Sequence, residues 1–179
     1  DITKLPISEL SKDAQTAYDA GAKGVMMFRW GLSNFIDFNK LNTHEITPSY
    51  GDSVSINSIL AASASLKKYI EDKGVLPKFV TVGNFNYTVP QFLYLMTKAT
   101  EGIANGNLKA ITAILVNASS KTSGDVINKQ LVKSEFVSLA KTLSSYMSAN
   151  GVAPGNVSST LGDIKYESLI YAYARILSY

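Results

Sequence analysis

The chain has no cysteine and a single histidine, His44, among its 179 residues. Without cysteine there are no disulfide bonds, thiol nucleophiles or thiolate metal sites. One isolated imidazole in a polar stretch also leaves no Ser-His nucleophile and no metal site built on histidine. Asp37 and Glu45 could be offered as a carboxylate pair, but nothing in their setting singles them out for acid–base catalysis. We therefore predict a chain without catalytic residues, bound metal or cofactor.

Long apolar runs and a strong charge of one sign are missing as well. No uninterrupted apolar stretch is long enough to span a bilayer. The net charge is only +3, and 46% of the residues are hydrophobic, which predicts a globular chain with a sizeable core. The basic excess lies in residues 108–179, where it suits an anionic polymer, although solubility alone would explain it. No Arg-rich stripe or RNA-binding aromatic motif occurs, so we predict no nucleic-acid partner.

What the chain does have is a pattern that occurs twice. Residues 56–100 and 133–177 align without a gap at an offset of 77 positions. The identities cluster at the end of a helix and in the turn that follows it. They are Leu66/Leu143, Tyr69/Tyr146, Gly74/Gly151, Val75/Val152, Pro77/Pro154, Val80/Val157 and Tyr94/Tyr171. A duplicated unit without catalytic residues is typical of a binding array, because copies raise avidity without new chemistry.

The first copy predicts a helix, a turn, a β-hairpin and a second helix. Ser55 is a candidate N-cap, and Gly74 supplies the left-handed residue that ends the first helix. Residues 80–87 form two alternating stretches around Gly-Asn, a pattern that predicts a hairpin. Thr88 and Gln91 have the spacing of a capping box and open the second helix.

The second copy predicts the same order with an altered hairpin. Its turn residues are Gly162-Asp163, two places away from the register of the first copy. Between the copies, residues 108–132 form a connector. Within it, residues 111–116 predict an edge strand, and residues 117–125 are polar and expected to be mobile.

Residues 1–47 differ in pattern from the rest of the chain. Helical spacing is followed by the apolar run of residues 24–28, typical of a strand buried on both faces, and then by a short helix. This order resembles the last βα unit of a glycoside-hydrolase-type (β/α)8 barrel, where an aromatic residue such as Trp30 ends the eighth strand. We interpret the segment as the C-terminal piece of an α/β domain.

Several stretches resemble the pseudomurein-binding repeat of methanogenic archaea. In the first copy they are residues 59–69, residues 74–82 (Gly-Val-Leu-Pro-Lys-Phe-Val-Thr-Val) and residues 90–95 (Pro-Gln-Phe-Leu-Tyr-Leu). Residues 166–171 with Arg175 look like the form of that repeat in the second member of a pair. The resemblance covers residues 54–179 apart from the connector. It implies non-covalent attachment to the pseudomurein wall, in chains whose other domains are peptidases, adhesins or other surface proteins.

Two tyrosine–cation pairs are candidate ligand-binding residues. Tyr94 and Lys98 lie four positions apart on the second helix of the first copy, and Tyr171 and Arg175 hold the same places in the second. Residues four apart share a helix face. An aromatic ring beside a cation suits a sugar ring that bears carboxylate or acetamido groups. We therefore expect exposed rings at both pairs; the alternative is that the tyrosines pack the copies together.

Lys78 and Phe79 complete the predicted ligand-binding set. The second copy has Gly155 and Asn156 at these two places, so the copies need not be equivalent if these residues contact ligand. Tyr69 and Tyr146, near the ends of their helices, are interpreted as structural residues.

Together these patterns predict a mainly α (α+β) fold in which two helix–turn–β-hairpin–helix repeats pack together behind a short αβα segment. The predicted parts are residues 1–47, repeat copy 48–107, connector 108–132 and repeat copy 133–179. The predicted function is non-catalytic anchoring to the pseudomurein wall, with the glycan and peptide of the wall as the binding partners. The protein is predicted to be extracellular and associated with the wall. Two alternatives remain: the targeting part of a wall-active glycosidase or peptidase, and a protein–protein adhesion module.

Overall fold

A computed structural model describes residues 51–179 apart from Asn84, Val126 and Asn128. This part of the chain is a mixed α+β fold with four helices and three two-stranded antiparallel sheets. Its elements are β1 (Ser53–Val54), α1 (Ile56–Lys73), β2 (Phe79–Val82), β3 (Phe85–Thr88), α2 (Val89–Ala104), β4 (Ile111–Thr112), α3 (Lys133–Asn150), β5 (Asn156–Ser159), β6 (Gly162–Lys165) and α4 (Tyr166–Leu177). The barrel-like segment predicted for residues 1–47 lies outside the described residues.

The helix ends follow from local sequence. The Ser55 side chain accepts a hydrogen bond from the Ser58 N–H at 3.1 Å and caps α1. Gly74 ends α1 with φ of 70°, and Gly151 ends α3 with φ of 63°, both in the left-handed region that favours glycine. At the start of α2, Thr88 and Gln91 form the predicted capping box. These four predictions are confirmed.

The two hairpins share one register. Val80 pairs with Tyr87 in β2–β3, and Val157 pairs with Ile164 in β5–β6. The second hairpin therefore turns through residues 160–161, and the prediction of a turn at Gly162-Asp163 is wrong. Glu135, at the start of α3, explains the difference. Its carboxylate accepts hydrogen bonds from the Thr160 N–H at 2.7 Å and the Thr160 hydroxyl at 2.9 Å, which holds a turn that has no glycine signature of its own.

The helices of the two halves pack across one another. We call residues 53–107 the first half and residues 133–179 the second half. Helix α2 packs mainly against α3, α1 packs mainly against α4, and α2 also contacts α4. Because α2 has neighbours on most of its sides, consecutive residues from Val89 to Thr97 are all buried. A helix that is apolar all round belongs in a core, and α2 is the centre of this one.

The connector is attached to both halves. Strand β4 pairs with β1, although only two of the predicted residues 111–116 form it. Further along, the Asn117 N–H donates to the Gly151 carbonyl, and the Ala153 N–H donates to the Asn117 carbonyl, both at 2.9 Å. The Asp125 N–H donates to the Asp163 carbonyl at 2.7 Å. Residues 117–125, which were expected to be mobile, are thus held at both ends by backbone hydrogen bonds to the second half.

Candidate functional site

Tyr171 and Arg175 lie together on the surface of α4. The guanidinium carbon of Arg175 lies 5.7 Å from the centroid of the Tyr171 ring, as the spacing of four predicted. From α1, the Glu71 carboxylate accepts a hydrogen bond from the Tyr171 hydroxyl at 2.9 Å. This bond raises the pKa of the Tyr171 hydroxyl above its ordinary value, because losing the proton would also lose the bond to Glu71. Arg175, which contacts the ring, and Glu71, which bonds to the hydroxyl, together hold the Tyr171 side chain in place.

A cavity of about 510 Å³ opens beside this pair, a volume in the usual range for small-ligand sites. Its walls come from α4, the start of α3 and the connector. Aromatic and apolar walls are provided by Phe136, Tyr171, Tyr179, Ile127 and Leu131. Among the lining residues that the structure describes, Lys129 and Arg175 are positively charged and Asp125 is negatively charged. The cavity therefore combines ring surfaces with a net excess of cations.

Arg175 is available to a ligand. Among the described residues, no carboxylate lies within 4.0 Å of its guanidinium group; the ion pairs there join Lys68 to Asp72 and Lys98 to Glu101. A guanidinium group that is exposed and lies over a ring can form two parallel hydrogen bonds to a carboxylate. Close by, the Lys67 ammonium lies 5.2 Å from the centroid of the Tyr179 ring, which adds a second cation–aromatic pair.

The matching pair of the first half has a different environment. The Tyr94 ring is only 7% exposed, so the expectation of a largely exposed ring is wrong. Lys98 lies 3.4 Å from a carboxylate oxygen of Glu101, and the Ser144 hydroxyl of α3 donates to the same carboxylate. The physical reason is the central position of α2, since the helices of the second half pack around it and Tyr94 is buried. The corresponding side of α4 faces the cavity instead.

Lys78 and Phe79 remain close together at the start of the first hairpin. The Lys78 ammonium lies 5.2 Å from the centroid of the Phe79 ring, and Lys78 is exposed. In the second half the connector covers the corresponding places. A Cβ atom on Gly155 would overlap the carbonyl oxygen of Lys121, and the Asn156 side-chain amide donates to the Ser123 hydroxyl at 3.1 Å.

Tyr69 and Tyr146, which were interpreted as structural residues, are only partly buried. Tyr69 is 40% exposed and Tyr146 is 43% exposed. Each follows a core leucine by three positions, which puts it at the flank of the apolar stripe, where spacing alone does not decide burial. The cavity residues Phe136 and Tyr179 were missed for another reason, since only the folded chain brings them beside α4.

No family model, curated protein or solved structure matches the chain. The resemblance to the pseudomurein-binding repeat therefore depends on the residues quoted for it. Within residues 51–179, as far as they are described, there is no group of three or more metal-ligating side chains and no helix long and apolar enough to cross a membrane.

Proposed function

We propose that this chain binds the pseudomurein cell wall non-covalently and anchors its parent protein there, outside the cell and without catalysis. The observation that carries the proposal is the cavity beside Tyr171 and Arg175. It offers an aromatic face for a sugar ring and, for a carboxylate, a guanidinium group that no described residue pairs with. Further ring surface lies beside them at Phe136 and Tyr179.

The proposal includes a duplicated architecture, supported by the bounds of the elements. Helix α1 spans Ile56–Lys73 and α3 spans Lys133–Asn150, while β2 and β3 correspond to β5 and β6 at the same offset of 77 positions. In this interpretation the halves are two copies of one unit, and their equivalent contacts are α1 with α4 and α3 with α2.

The copies have diverged at the position that would bind glycan. Tyr94 is buried and Lys98 is paired with Glu101, whereas Tyr171 and Arg175 face the cavity. We therefore expect one glycan site for each chain instead of two. Firm attachment would come from several chains or domains on one polymer, because linked weak sites gain affinity through effective concentration.

The experiment is a pull-down with purified pseudomurein sacculi, with bacterial murein sacculi as the comparison. We expect binding to pseudomurein only. Tyr171→Ala removes a stacking contact worth on the order of 1 kcal/mol, so affinity should fall about fivefold. Arg175→Gln should cause a loss that shrinks at high salt, because exposed charge contacts are screened.

Lys98→Gln is the matched control, since it removes a cation at the equivalent position in the first half. Its binding should equal that of the unchanged chain. Equal binding to bacterial murein, or binding that neither Tyr171→Ala nor Arg175→Gln alters, would contradict the proposal. Binding to a surface protein and none to stripped walls would favour an adhesion module.

A further inference from the structure

The outer edges of the two hairpins present the same backbone groups. In an antiparallel pair, alternate residues exchange hydrogen bonds with the partner strand, and the others point their N–H and C=O outward. The outward residue is Asn86 in β3 and Asp163 in β6. The side chains there also match: the Thr81 hydroxyl donates to Asn86 at 2.7 Å, and the Ser158 hydroxyl donates to Asp163 at 2.6 Å.

In the second half this edge is already occupied by a peptide segment. The Asp125 N–H donates to the Asp163 carbonyl at 2.7 Å, and the Asp163 N–H donates to the Asp125 carboxylate at 2.8 Å. The connector therefore occupies this edge through one backbone hydrogen bond and one side-chain carboxylate, without forming a third strand. Gly155 and Gly162 make room for it, since a Cβ atom at either position would meet the connector.

In the first half the same edge has no partner within the described part of the chain. Among the described residues, none forms a hydrogen bond with the N–H or C=O of Asn86. The flanking residues are larger than their glycine counterparts: Lys78 stands in place of Gly155, and Phe85, which is 47% exposed, in place of Gly162. The ammonium of Lys78 lies on the Phe79 ring and, within the described part of the chain, forms no ion pair.

We propose that the free edge of β3 at Asn86 binds an extended peptide that carries a side-chain carboxylate, namely the peptide moiety of the wall polymer. A peptide N–H would donate to the Asn86 carbonyl, as the Asp125 N–H donates to the Asp163 carbonyl. The Asn86 N–H would donate to a peptide carbonyl, because Phe85 fills the space that the Asp125 carboxylate uses beside Gly162. Its carboxylate would pair with Lys78. That the polymer is the wall rests on the proposed function. That the ligand is a peptide with a carboxylate follows from the β3 edge at Asn86 and from Lys78, which forms no ion pair with the described residues.

This edge is distinct from the cavity beside Tyr171. The two sites lie on different hairpin–helix units, so the chain would contact the glycan with its second half and the peptide with its first. Lys78 and Phe85 prevent the close approach made by the connector, because their Cβ atoms occupy the space that Gly155 and Gly162 leave open. Pairing is therefore limited to the stretch around Asn86, and a single peptide should bind weakly.

The test is an amide NMR titration of the full chain with acetyl-Ala-Glu-Ala-amide, with the Gln peptide as its uncharged match. We expect shifts at Asn86 and Lys78 and none at Asp163, whose edge is occupied. Asn86→Pro removes the outward donor without removing a bond between the strands, and edge strands tolerate proline. Affinity should fall about fivefold, the change expected for one hydrogen bond.

Thr81→Pro is the matched control. It also removes the Thr81–Asn86 side-chain bond but deletes a donor from the opposite edge, so peptide affinity should not change. If Asn86→Pro fails to fold, a peptide methylated at the central amide nitrogen tests the same pairing on the unchanged chain. Equal shifts at Asp163, equal affinity for the Gln peptide, or no shift at Asn86 would overturn the proposal.

Sacculus binding separates this inference from the proposed function. Sacculi that bind while the peptide leaves Asn86 unshifted would overturn the edge site and leave wall binding intact. A peptide that binds at Asn86 while sacculi do not bind would support the edge chemistry and overturn the wall as its source.

Discussion

Tyr94 and Tyr171 hold the same position in two similar sequence stretches, yet one lies in the core and the other on a cavity wall. Tyr94 belongs to α2, which packs against both helices of the second half. Tyr171 belongs to α4, where its hydroxyl reaches Glu71 and its ring lies under Arg175. The difference shows that residue type and sequence spacing do not fix a residue's role in this fold. The role also depends on which neighbouring element covers that side of the helix.

The cations beside the two tyrosines differ in the same way. Lys98 has Glu101 on its own helix, and Glu101 is in turn bonded by Ser144 from α3. Arg175 has no such carboxylate within the described residues. One pair is therefore part of a packed junction between helices, while the other lines the cavity.

The sharpest way to break this comparison is to truncate both tyrosines. Tyr94→Ala should lower the free energy of unfolding by about 3 kcal/mol, because it leaves a cavity in the core. Tyr171→Ala should lower it by less than about 1 kcal/mol, since its ring is partly exposed. Urea denaturation of both variants measures the difference. Equal losses would mean that the two environments are alike.

A second test concerns the glycine that admits the connector. Gly155 does not adopt a positive φ, so alanine there is strained by contact with Lys121 and not by its backbone. Gly155→Ala should cost about 2 kcal/mol, typical of overpacking, and should speed hydrogen exchange of the Asp125 amide. Lys78→Gly, the mirror change in the first half, should leave that amide protected. Unchanged exchange in Gly155→Ala would contradict the docking of the connector.

The smallest expected effect is a difference between Tyr173 and Tyr171, both on α4, in how much each contributes to the pH dependence of stability. Tyr173 is 2% exposed, its hydroxyl donates to the Phe136 carbonyl at 2.9 Å, and burial raises its pKa. Above about pH 10 the unfolded chain releases this proton while the folded chain keeps it, so stability falls by about 1.4 kcal/mol for each pH unit.

Tyr173→Phe should remove the contribution of this hydroxyl to the fall in the free energy of unfolding between pH 10 and 11. Chemical denaturation at both pH values measures it. Tyr171→Phe, on the exposed side of the same helix, should change the slope less. A slope that Tyr173→Phe leaves intact would show that this hydroxyl is not buried in the folded chain.

The helix ends could be predicted because their physics is local. Ser55, Gly74 and the Thr88–Gln91 box act on backbone groups within a few residues, so their type and spacing suffice. The second hairpin could not be placed from its own residues, because Glu135 on α3 holds its turn. The same limit applies to Tyr69 and Tyr146, whose exposure depends on which helix covers each flank.

The connector shows this limit most clearly. A polar stretch between two copies predicts mobility, yet residues 117–125 are bonded along the second half through Asn117 and Asp125. The pattern carried one clue, since Gly155 and Gly162 replace large residues of the first copy. A glycine can serve a turn or a close approach, and only the contacts with Lys121 and Asp125 distinguish the two.

By itself, the sequence determined the order of helices and strands in the two halves and the helix ends at Ser55, Gly74, Thr88 and Gly151, because these depend on short-range hydrogen bonds and local backbone conformation. Tertiary structure decided which tyrosine is buried and, among the described residues, which cation has no ion pair and which hairpin edge has no partner. Those outcomes depend on contacts between elements that are far apart in the chain, such as α2 with α3 and the connector with β6, and no local pattern contains them.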